Sequence, residues 1–138
     1  MDAKSISSIL MKEAEELKKL LVILEEQHEL LINNDIIKLE EIVDRIQLCN
    51  KGVAEGEVQR RKLTNNQPMK DIVAELNDLE LENNYRKLIK ILNEVKVQKE
   101  TNDLLIKMGL GFSAKMLGIL NPADRNNTTY SSHGKYKK

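Results

Sequence analysis

The amino-acid sequence predicts an all-α protein: an elongated antiparallel helical hairpin or slender helical bundle, with long N- and C-terminal helices and a flexible C-terminal tail. Composition is the first reason. Aromatic residues make up only 3% of the chain, with 6 Gly and 2 Pro, whereas Leu, Glu, Lys and Asn dominate. Such a chain is poor in strand-forming side chains and rich in helix formers. The second reason is that apolar residues recur every three or four positions over long stretches, which is the spacing of one helical face.

The first predicted helix has Ser5 or Ser7 as its N-terminal cap. Its apolar positions are Ile6, Leu10, Leu17, Leu20, Leu21, Leu24 and Leu31. The spacing of Leu17, Leu20, Leu24 and Leu31 marks one helical stripe. The segment Asn33, Asn34 and Asp35 then either breaks the helix or only bends it, because all three residues are poor helix formers and good caps.

A second stripe follows at once, formed by Ile36, Leu39, Ile42, Val43, Ile46, Asn50 and Val53. Residues 55–62 are almost wholly polar, so we expect that end of the helix to project past the core. Residues 64–68, T-N-N-Q-P, form the clearest predicted turn, since proline disfavours helix at the residue before it. The shorter helix that comes next carries Ile72, Val73, Leu76 and Leu79.

The last predicted helix covers residues 83–120. Its stripe comprises Tyr85, Leu88, Leu92, Val95, Asn102, Leu105, Ile106 and Met108, with Ile89 and Ile91 flanking it. Two arms of about 30 and 35 residues would each reach about 45–55 Å. Asn121 and Pro122 stop the helix, and no apolar periodicity follows them. We therefore predict one helical domain over residues 1–120 and a disordered tail over residues 121–138.

Charge and cysteine content limit the function. The chain has 22 basic and 22 acidic residues and a formal net charge of 0, which removes the basic footprint of a nucleic-acid-binding protein. Cys49 is the single cysteine, expected to be half-buried, and no apolar signal segment follows Met1, which favours a cytoplasmic protein. The longest apolar run falls far short of the roughly 18 residues that a membrane span needs, so no membrane insertion is expected.

The sequence predicts a protein that is not an enzyme and holds no metal or cofactor. Glu25 and His28 have the spacing of half a Glu-x-x-His di-iron motif, but the complete site needs a second such pair on another helix. His28 is therefore expected to be a partly exposed histidine on a helix face. Acidic residues are expected to pair with lysines along solvated faces, as Glu15 would with Lys19.

Residues 108–120, M-G-L-G-F-S-A-K-M-L-G-I-L, predict peptide binding. Each of the three glycines costs a helix about 1 kcal/mol relative to alanine, so the segment should fray or fold only when something covers it. Its apolar side chains occupy more of the helix circumference than one intramolecular face needs. Methionine adapts to varied partner surfaces, and a helix in a groove is a common recognition mode. Packing of this segment on the first helix is the alternative.

Two parts of the chain together resemble a known family. The first is the Leu-rich opening over residues 17–42, L-K-K-L-L-V-I-L-E-E-Q-H-E-L-L-I-N-N-D-I-I-K-L-E-E-I. The second is the order of Asn102, Leu104-Leu105, Met116-Leu117 and the tail T-T-Y-S-S-H-G. This combination is similar to the FlgN family, the cytosolic flagellar export chaperones for the hook–filament junction proteins, and the resemblance covers nearly the whole chain.

The resemblance implies that the chain binds the C-terminal helical region of junction proteins, keeps it soluble and delivers it to the type III export apparatus. The implied cargo-binding residues are Asn102, Leu105, Met108, Phe112, Met116, Leu117 and Leu120. Tyr130 is the implied contact with the cytoplasmic domain of the export gate, and Tyr136 is a second candidate. The alternative function is a homodimeric coiled-coil structural or adaptor protein that associates through the stripes over residues 17–53.

Overall fold

The computed structural model describes residues 2–108. These residues form four helices: α1 (Ala3–Ile32), α2 (Ile36–Thr64), α3 (Met69–Leu76) and α4 (Leu79–Lys107). No strand occurs in residues 2–108, and the prediction of an all-α fold is confirmed. The predicted continuation of the last helix to residue 120 and the predicted tail over residues 121–138 lie outside the described residues, so the domain boundary stays a prediction.

Aspartates cap three of these four helices. In each case a carboxylate oxygen accepts the backbone N–H three residues further on, at 2.7 Å for Asp2, 3.2 Å for Asp35 and 2.9 Å for Asp78. Such a bond satisfies a free N–H group of the first turn and is typically worth about 1 kcal/mol. The prediction that Ser5 or Ser7 caps the first helix is wrong, because the carboxylate of Asp2 already begins the helix ahead of both serines.

Asparagines make the turns between helices. Asn34, Asn65, Asn66 and Asn77 have φ values of 56°, 53°, 63° and 48°. These values lie in the left-handed region, which asparagine tolerates better than most residues with a side chain. The turn at Asn34 separates α1 from α2, so the helix is broken there rather than bent. The predicted turn over residues 64–68 is confirmed, with α2 ending at its first residue and Pro68 preceding α3.

Helix α1 lies between α2 and α4 and packs along both of them. Helix α2 runs antiparallel to α1, since Glu26 near the end of α1 pairs with Arg45, at 2.9 Å, and Glu13 near its start pairs with Arg60, at 2.8 Å. Helices α1 and α2 therefore form an antiparallel hairpin.

Helix α4 runs parallel to α1. Near the start of both helices the buried Asn84 amide donates to Ser7 Oγ at 3.0 Å. Near their ends the buried Asn102 amide donates to the Leu24 carbonyl oxygen at 2.8 Å. The short α3 reverses the chain between α2 and α4, and the result is a slender bundle with α1 in the middle.

Two apolar clusters form the core of residues 2–108. The larger one joins α1, α3 and α4 through Ile6, Leu10, Leu17, Leu20, Leu24, Met69, Ile72, Leu81, Leu88, Ile91 and Val95. The smaller one joins the end of α1, the start of α2 and the end of α4 through Leu31, Leu39, Val43 and Ile106. The stripes of the alternative homodimer thus pack against apolar surface inside the chain, and pairing between two chains through them would require these clusters to open.

Two details of the predicted C-terminal helix are wrong. Helix α4 begins at Leu79, not at residue 83, because Asp78 caps it there; Leu79 therefore belongs to α4 and not to the short helix before it. The buried face carries Ile91 and Val95, whereas Leu92 is 45% exposed. Both Ile91 and Leu92 fit the helical spacing, and the position of α1 selects Ile91.

The prediction that the polar end of α2 projects past the core is wrong, because this end packs against α1. Glu13 is buried and accepts a hydrogen bond from Arg60 Nε at 2.8 Å. Gly56 faces the Glu13 side chain, and a Cβ at position 56 would lie 3.4 Å from Glu13 Cγ. Burial raises the pKa of Glu13, and the Arg60 guanidinium opposes the rise. An ion pair between Glu13 and Arg60 therefore contributes to the α1–α2 contact at the polar end of α2.

Single side chains elsewhere follow the sequence predictions in part. Cys49 is half-buried, as predicted. Lys19 pairs with Glu16 at 3.2 Å, so the predicted pairing with Glu15 is wrong. Residues three and four positions apart are both neighbours on a helix surface, and sequence spacing alone does not choose between them.

Candidate functional site

An exposed apolar face occupies the last three turns of α4. It consists of the exposed Val97, Leu104 and the C-cap residue Met108, with the half-buried Thr101 between Val97 and Leu104, and we call these four residues the C-terminal stripe. Val97, Leu104 and Met108 are 61%, 58% and 66% exposed. Their spacing of four, three and four residues places all four side chains on one side of the helix.

The same side of α4 is polar before the stripe begins. Stepping back from Val97 by the same spacing reaches Asn93, Lys90 and Arg86, all of them exposed. This one line of α4 thus changes from polar to apolar at Val97, while Ile89 and Leu92, 38% and 45% exposed, lie on neighbouring lines of the same helix. Isolated apolar residues on a surface need no explanation, but a contiguous row points to an interaction site.

The fold leaves the C-terminal stripe uncovered because α4 turns another side toward α1. Asn102 and Ile106 lie on that inner side, only 1% and 4% exposed. Leu105 lies between the two sides; it is half-buried and packs with Leu30 against the smaller apolar cluster. The intramolecular core therefore uses one side of α4 and leaves the stripe free within the described residues.

A shallow groove between α1 and α4 adjoins the start of the stripe. Its lining residues are Leu21, Glu25, Asn93, Glu94, Val97 and Gln98. Val97 belongs to both the groove and the stripe, so apolar surface continues from α4 to Leu21 on α1. The groove and the stripe together can seat the apolar side of a helix.

A buried polar cluster beneath the stripe holds α4 in place. Asn102 Nδ2 donates to the Leu24 carbonyl oxygen and to Gln27 Oε1, both at 2.8 Å. Asn102 Oδ1 accepts from Gln98 Nε2 at 3.0 Å. The amide thus uses both of its donor hydrogens and at least one acceptor position, as a buried amide must to avoid a large desolvation penalty.

His28 completes this cluster from α1. Its Nδ1 lies 3.3 Å from Asn102 Oδ1 and 3.2 Å from Gln98 Nε2. A ring with a proton on Nδ1 donates to Asn102, and a ring without one accepts from Gln98, so either tautomer keeps a partner. The cluster lies between the two apolar clusters and fixes the register of α4 on α1, because a shifted α4 would leave these groups unpaired. His28 is half-buried, as predicted, but the sequence did not indicate its partners.

The structure places the predicted cargo-binding residues in different environments. Asn102 is buried and bonded within the chain, Leu105 is half-buried, and Met108 is exposed at the end of the C-terminal stripe. The remaining predicted residues lie outside the described part of the chain: Phe112, Met116, Leu117, Leu120 and the proposed gate contact Tyr130. Their assignments stay predictions.

Val97 and Leu104 were not predicted as members of an exposed face. The predicted cargo residues of the described part begin with Asn102, which α4 turns toward α1, and Leu105, which lies at the edge of that side. The signal was present as the repeat of four and three residues through Arg86, Lys90, Asn93 and Val97, polar at first and apolar at the end. Two lines of residues that lie this close on one helix cannot be assigned to the buried or the exposed side until the position of α1 is known.

The described residues carry no arrangement suited to metal chemistry. Within residues 2–108, no group of three or more His, Cys, Asp or Glu side chains could hold a metal ion. Glu25 and His28 therefore remain half of a di-iron motif in this part of the chain. Among the helices that the structure describes, none is both long enough and apolar enough to cross a membrane.

Comparison with known proteins identifies a family. The family model described as FlgN protein matches residues 1–138, the whole chain. No curated protein and no solved structure matches this chain.

Proposed function

Because this chain belongs to the FlgN family, a family of flagellar export chaperones, we propose that it is a cytoplasmic type III export chaperone for the flagellar hook–filament junction proteins. It binds their C-terminal helical region, prevents premature association of that region and delivers it to the export gate. The observation that carries the proposal is the C-terminal stripe, an exposed apolar face on the helix to which the family resemblance assigns cargo binding.

The stripe suits a cargo helix whose own apolar side must be shielded. Val97, Leu104 and Met108 supply apolar contact without disturbing the core, since the core uses the other side of α4. When a cargo helix packs along them, its apolar side contacts the chaperone in place of another cargo molecule. Phe112, Met116, Leu117 and Leu120 extend the proposed surface beyond the described residues.

In this proposal, Asn102 and Leu105 support the C-terminal stripe from the side of α4 that faces α1. Asn102 holds α4 on α1 through its bonds to Leu24 and Gln27, and so positions the stripe. Leu105 adds its exposed part to the surface while its buried part packs with Leu30. Rigid support of this kind lowers the entropic cost of binding, because α4 is ordered before cargo arrives.

Delivery to the export gate is assigned to Tyr130 by the family resemblance. The expected result of Tyr130→Ala is unchanged cargo affinity together with loss of binding to the cytoplasmic domain of the gate. Tyr136→Ala is the matched control in the same tail and should leave both interactions unchanged. If Tyr136→Ala rather than Tyr130→Ala abolishes gate binding, the assignment moves to Tyr136.

Calorimetric titration of the full chain with the C-terminal helical region of a junction protein tests cargo binding. Leu104→Asp should weaken the affinity about tenfold, because burying a leucine that is 58% exposed contributes about 1–2 kcal/mol. Leu48→Asp is the matched control, since Leu48 is 71% exposed on α2, away from the stripe. Equal affinities for the two variants would remove the stripe from the cargo site, and no heat with the unaltered chain would refute the proposed function.

A further inference from the structure

The groove between α1 and α4 continues from the C-terminal stripe toward the starts of both helices. A second shallow groove between these helices shares Glu94 with the one beside Val97, so the two form one channel, which we call the α1–α4 groove. Met11, Ala14 and Ile91 line its far part with apolar side chains. Along α4 the channel spans residues 84–98, a length of about 21 Å. A helix of about four turns fits this length.

The two halves of the α1–α4 groove differ in charge. The half near the helix starts, which we call the lysine half, is lined by Lys18, Lys87 and Lys90. Two carboxylates, Glu15 and Glu94, oppose these three lysines. The half near the stripe, the acidic half, is lined by Glu25 and Glu94, and none of its described lining residues is a cation. Glu29 is exposed one turn after Glu25 and extends the acidic half along α1.

The charged side chains of the α1–α4 groove have no ion-pair partner within residues 2–108. Other charged residues of the same two helices do pair, as Lys19 does with Glu16 at 3.2 Å and Arg86 with Glu82 at 2.9 Å. The groove charges are therefore available to a bound partner. A partner that displaces water from the groove would also strengthen its interaction with them.

This charge pattern favours one direction of a bound helix. A helix carries a partial positive charge at its N-terminal end and a partial negative charge at its C-terminal end. Its N-terminal end is therefore favoured beside Glu25 and Glu29, and its C-terminal end beside the lysine half. The α-carboxylate that ends a protein chain adds a full negative charge to the end that meets the lysines. A helix bound in this way runs antiparallel to α1 and α4.

We propose that the C-terminal helical region of the cargo lies in the α1–α4 groove antiparallel to both helices, with its carboxyl-terminal end at the lysine half. Lys18, Lys87 and Lys90 then receive the negative end of the cargo helix, while the C-terminal stripe contacts the apolar side of an earlier part of it. The orientation rests on the proposed function, because it specifies how the cargo of that same surface lies.

Energy transfer between labelled proteins measures the orientation. In a Cys49→Ser background, Lys4→Cys places a donor dye at the start of α1, and Asn33→Cys places one at its end, about 43 Å away. Both positions are exposed, and neither lines the groove. With an acceptor at the carboxyl-terminal end of the cargo region, transfer from position 4 should be about twofold higher than transfer from position 33. With the acceptor at the other end of the cargo region, the order should reverse.

Charge reversal tests the cause of the orientation. Lys87→Glu combined with Lys90→Glu should weaken cargo affinity about fivefold at low ionic strength and much less at high salt, as expected for exposed charges. Lys38→Glu combined with Lys51→Glu is the matched control, because it makes the same change in net charge at exposed positions of α2. The control should leave the affinity unchanged.

The possible failures of the orientation and of the proposed function can be told apart. Cargo that binds with the reverse order of transfer, or with equal transfer from both positions, would overturn the orientation and leave the proposed function standing. Equal weakening by the two charge-reversed variants would also overturn it, since the lysines would then act only through net charge. Transfer between donor- and acceptor-labelled copies of this chain without cargo would make a second copy the occupant. Absence of any complex with the cargo region would refute the proposed function and the orientation together.

Discussion

Replacing Asn102 with alanine should destabilise the fold far more than any exposed substitution on the same helix. Asn102 is 1% exposed, and its amide joins α4 to the backbone of Leu24 and to the side chain of Gln27. Alanine removes both donors and the acceptor that serves Gln98. The register of the C-terminal stripe on α1 depends on this residue, so the experiment tests whether Asn102 is a positioning residue.

The expected loss can be built from the partners left behind. Gln27 is 4% exposed, and its Oε1 would lose the bond from Asn102, which costs about 1–3 kcal/mol for a buried acceptor left unpaired. The carbonyl of Leu24 lies within α1 and keeps its place in the helical ladder, so its loss is smaller. Gln98 and His28 are half-buried and keep their contact with each other at 3.2 Å. Together these losses should lower the free energy of unfolding by about 2–4 kcal/mol. That is a large fraction of the about 5–15 kcal/mol that is typical of a folded domain.

Urea unfolding followed by circular dichroism measures this loss. Asn93→Ala is the matched control, because Asn93 is exposed on the same helix and its replacement should change the free energy of unfolding by less than about 0.5 kcal/mol. If Asn102→Ala also changes it by less than about 0.5 kcal/mol, the polar cluster does not fix α4, and the reasoning is refuted. Asn102 would then be available as a direct cargo contact.

Other substitutions test the helix contacts and caps. Because burial raises the pKa of Glu13, the folded chain binds the carboxyl proton more tightly than the unfolded chain does. The contribution of Glu13 to stability should therefore fall as the pH rises from the ordinary carboxyl range through the raised value. Relative to Glu13→Gln, the unaltered chain should lose urea resistance as the pH rises above the ordinary carboxyl range; a relative gain would contradict the burial argument. Gly56→Ala should stabilise the fold by about 0.5–1 kcal/mol, because alanine favours a helix more than glycine does. The added Cβ would lie 3.4 Å from Glu13 Cγ, which is an ordinary contact. A lower melting temperature would show that α1 and α2 need the glycine. Asp78→Ala should cost about 1 kcal/mol in urea unfolding by freeing the Leu81 N–H, and an unchanged midpoint would mean that this cap contributes nothing.

The sequence was enough to predict the helices and the turns that follow the first two of them. Asn33, Asn34 and Asp35 carried a visible break signal, but whether the helix bends or breaks depends on the left-handed backbone of Asn34. The choice between Ile91 and Leu92 for the buried face was similarly open, because both satisfy the helical period. Tertiary packing decided each of these points, and helical periodicity contains no information about which neighbour a face will meet.

The candidate site was predictable only in location. Sequence patterning and the family resemblance both pointed to the end of the last helix, and Met108 lies on the exposed stripe there. Asn102 was grouped with the apolar cargo contacts, yet its hydrogen bonds run to residues more than 70 positions earlier in the chain. Val97 and Leu104 were not singled out, because an exposed apolar residue and a buried one look alike until the partner helix is placed.

Sedimentation velocity of a junction protein, alone and with an equimolar amount of this chain, tests the chaperone account most directly. The account predicts that the junction protein alone self-associates as its concentration rises. With the chain present, both proteins should sediment together as one small complex, and the self-association should be lost. Leu104→Asp should restore it in part. If the junction protein sediments identically with and without the chain, and the chain sediments separately, the central claim is contradicted.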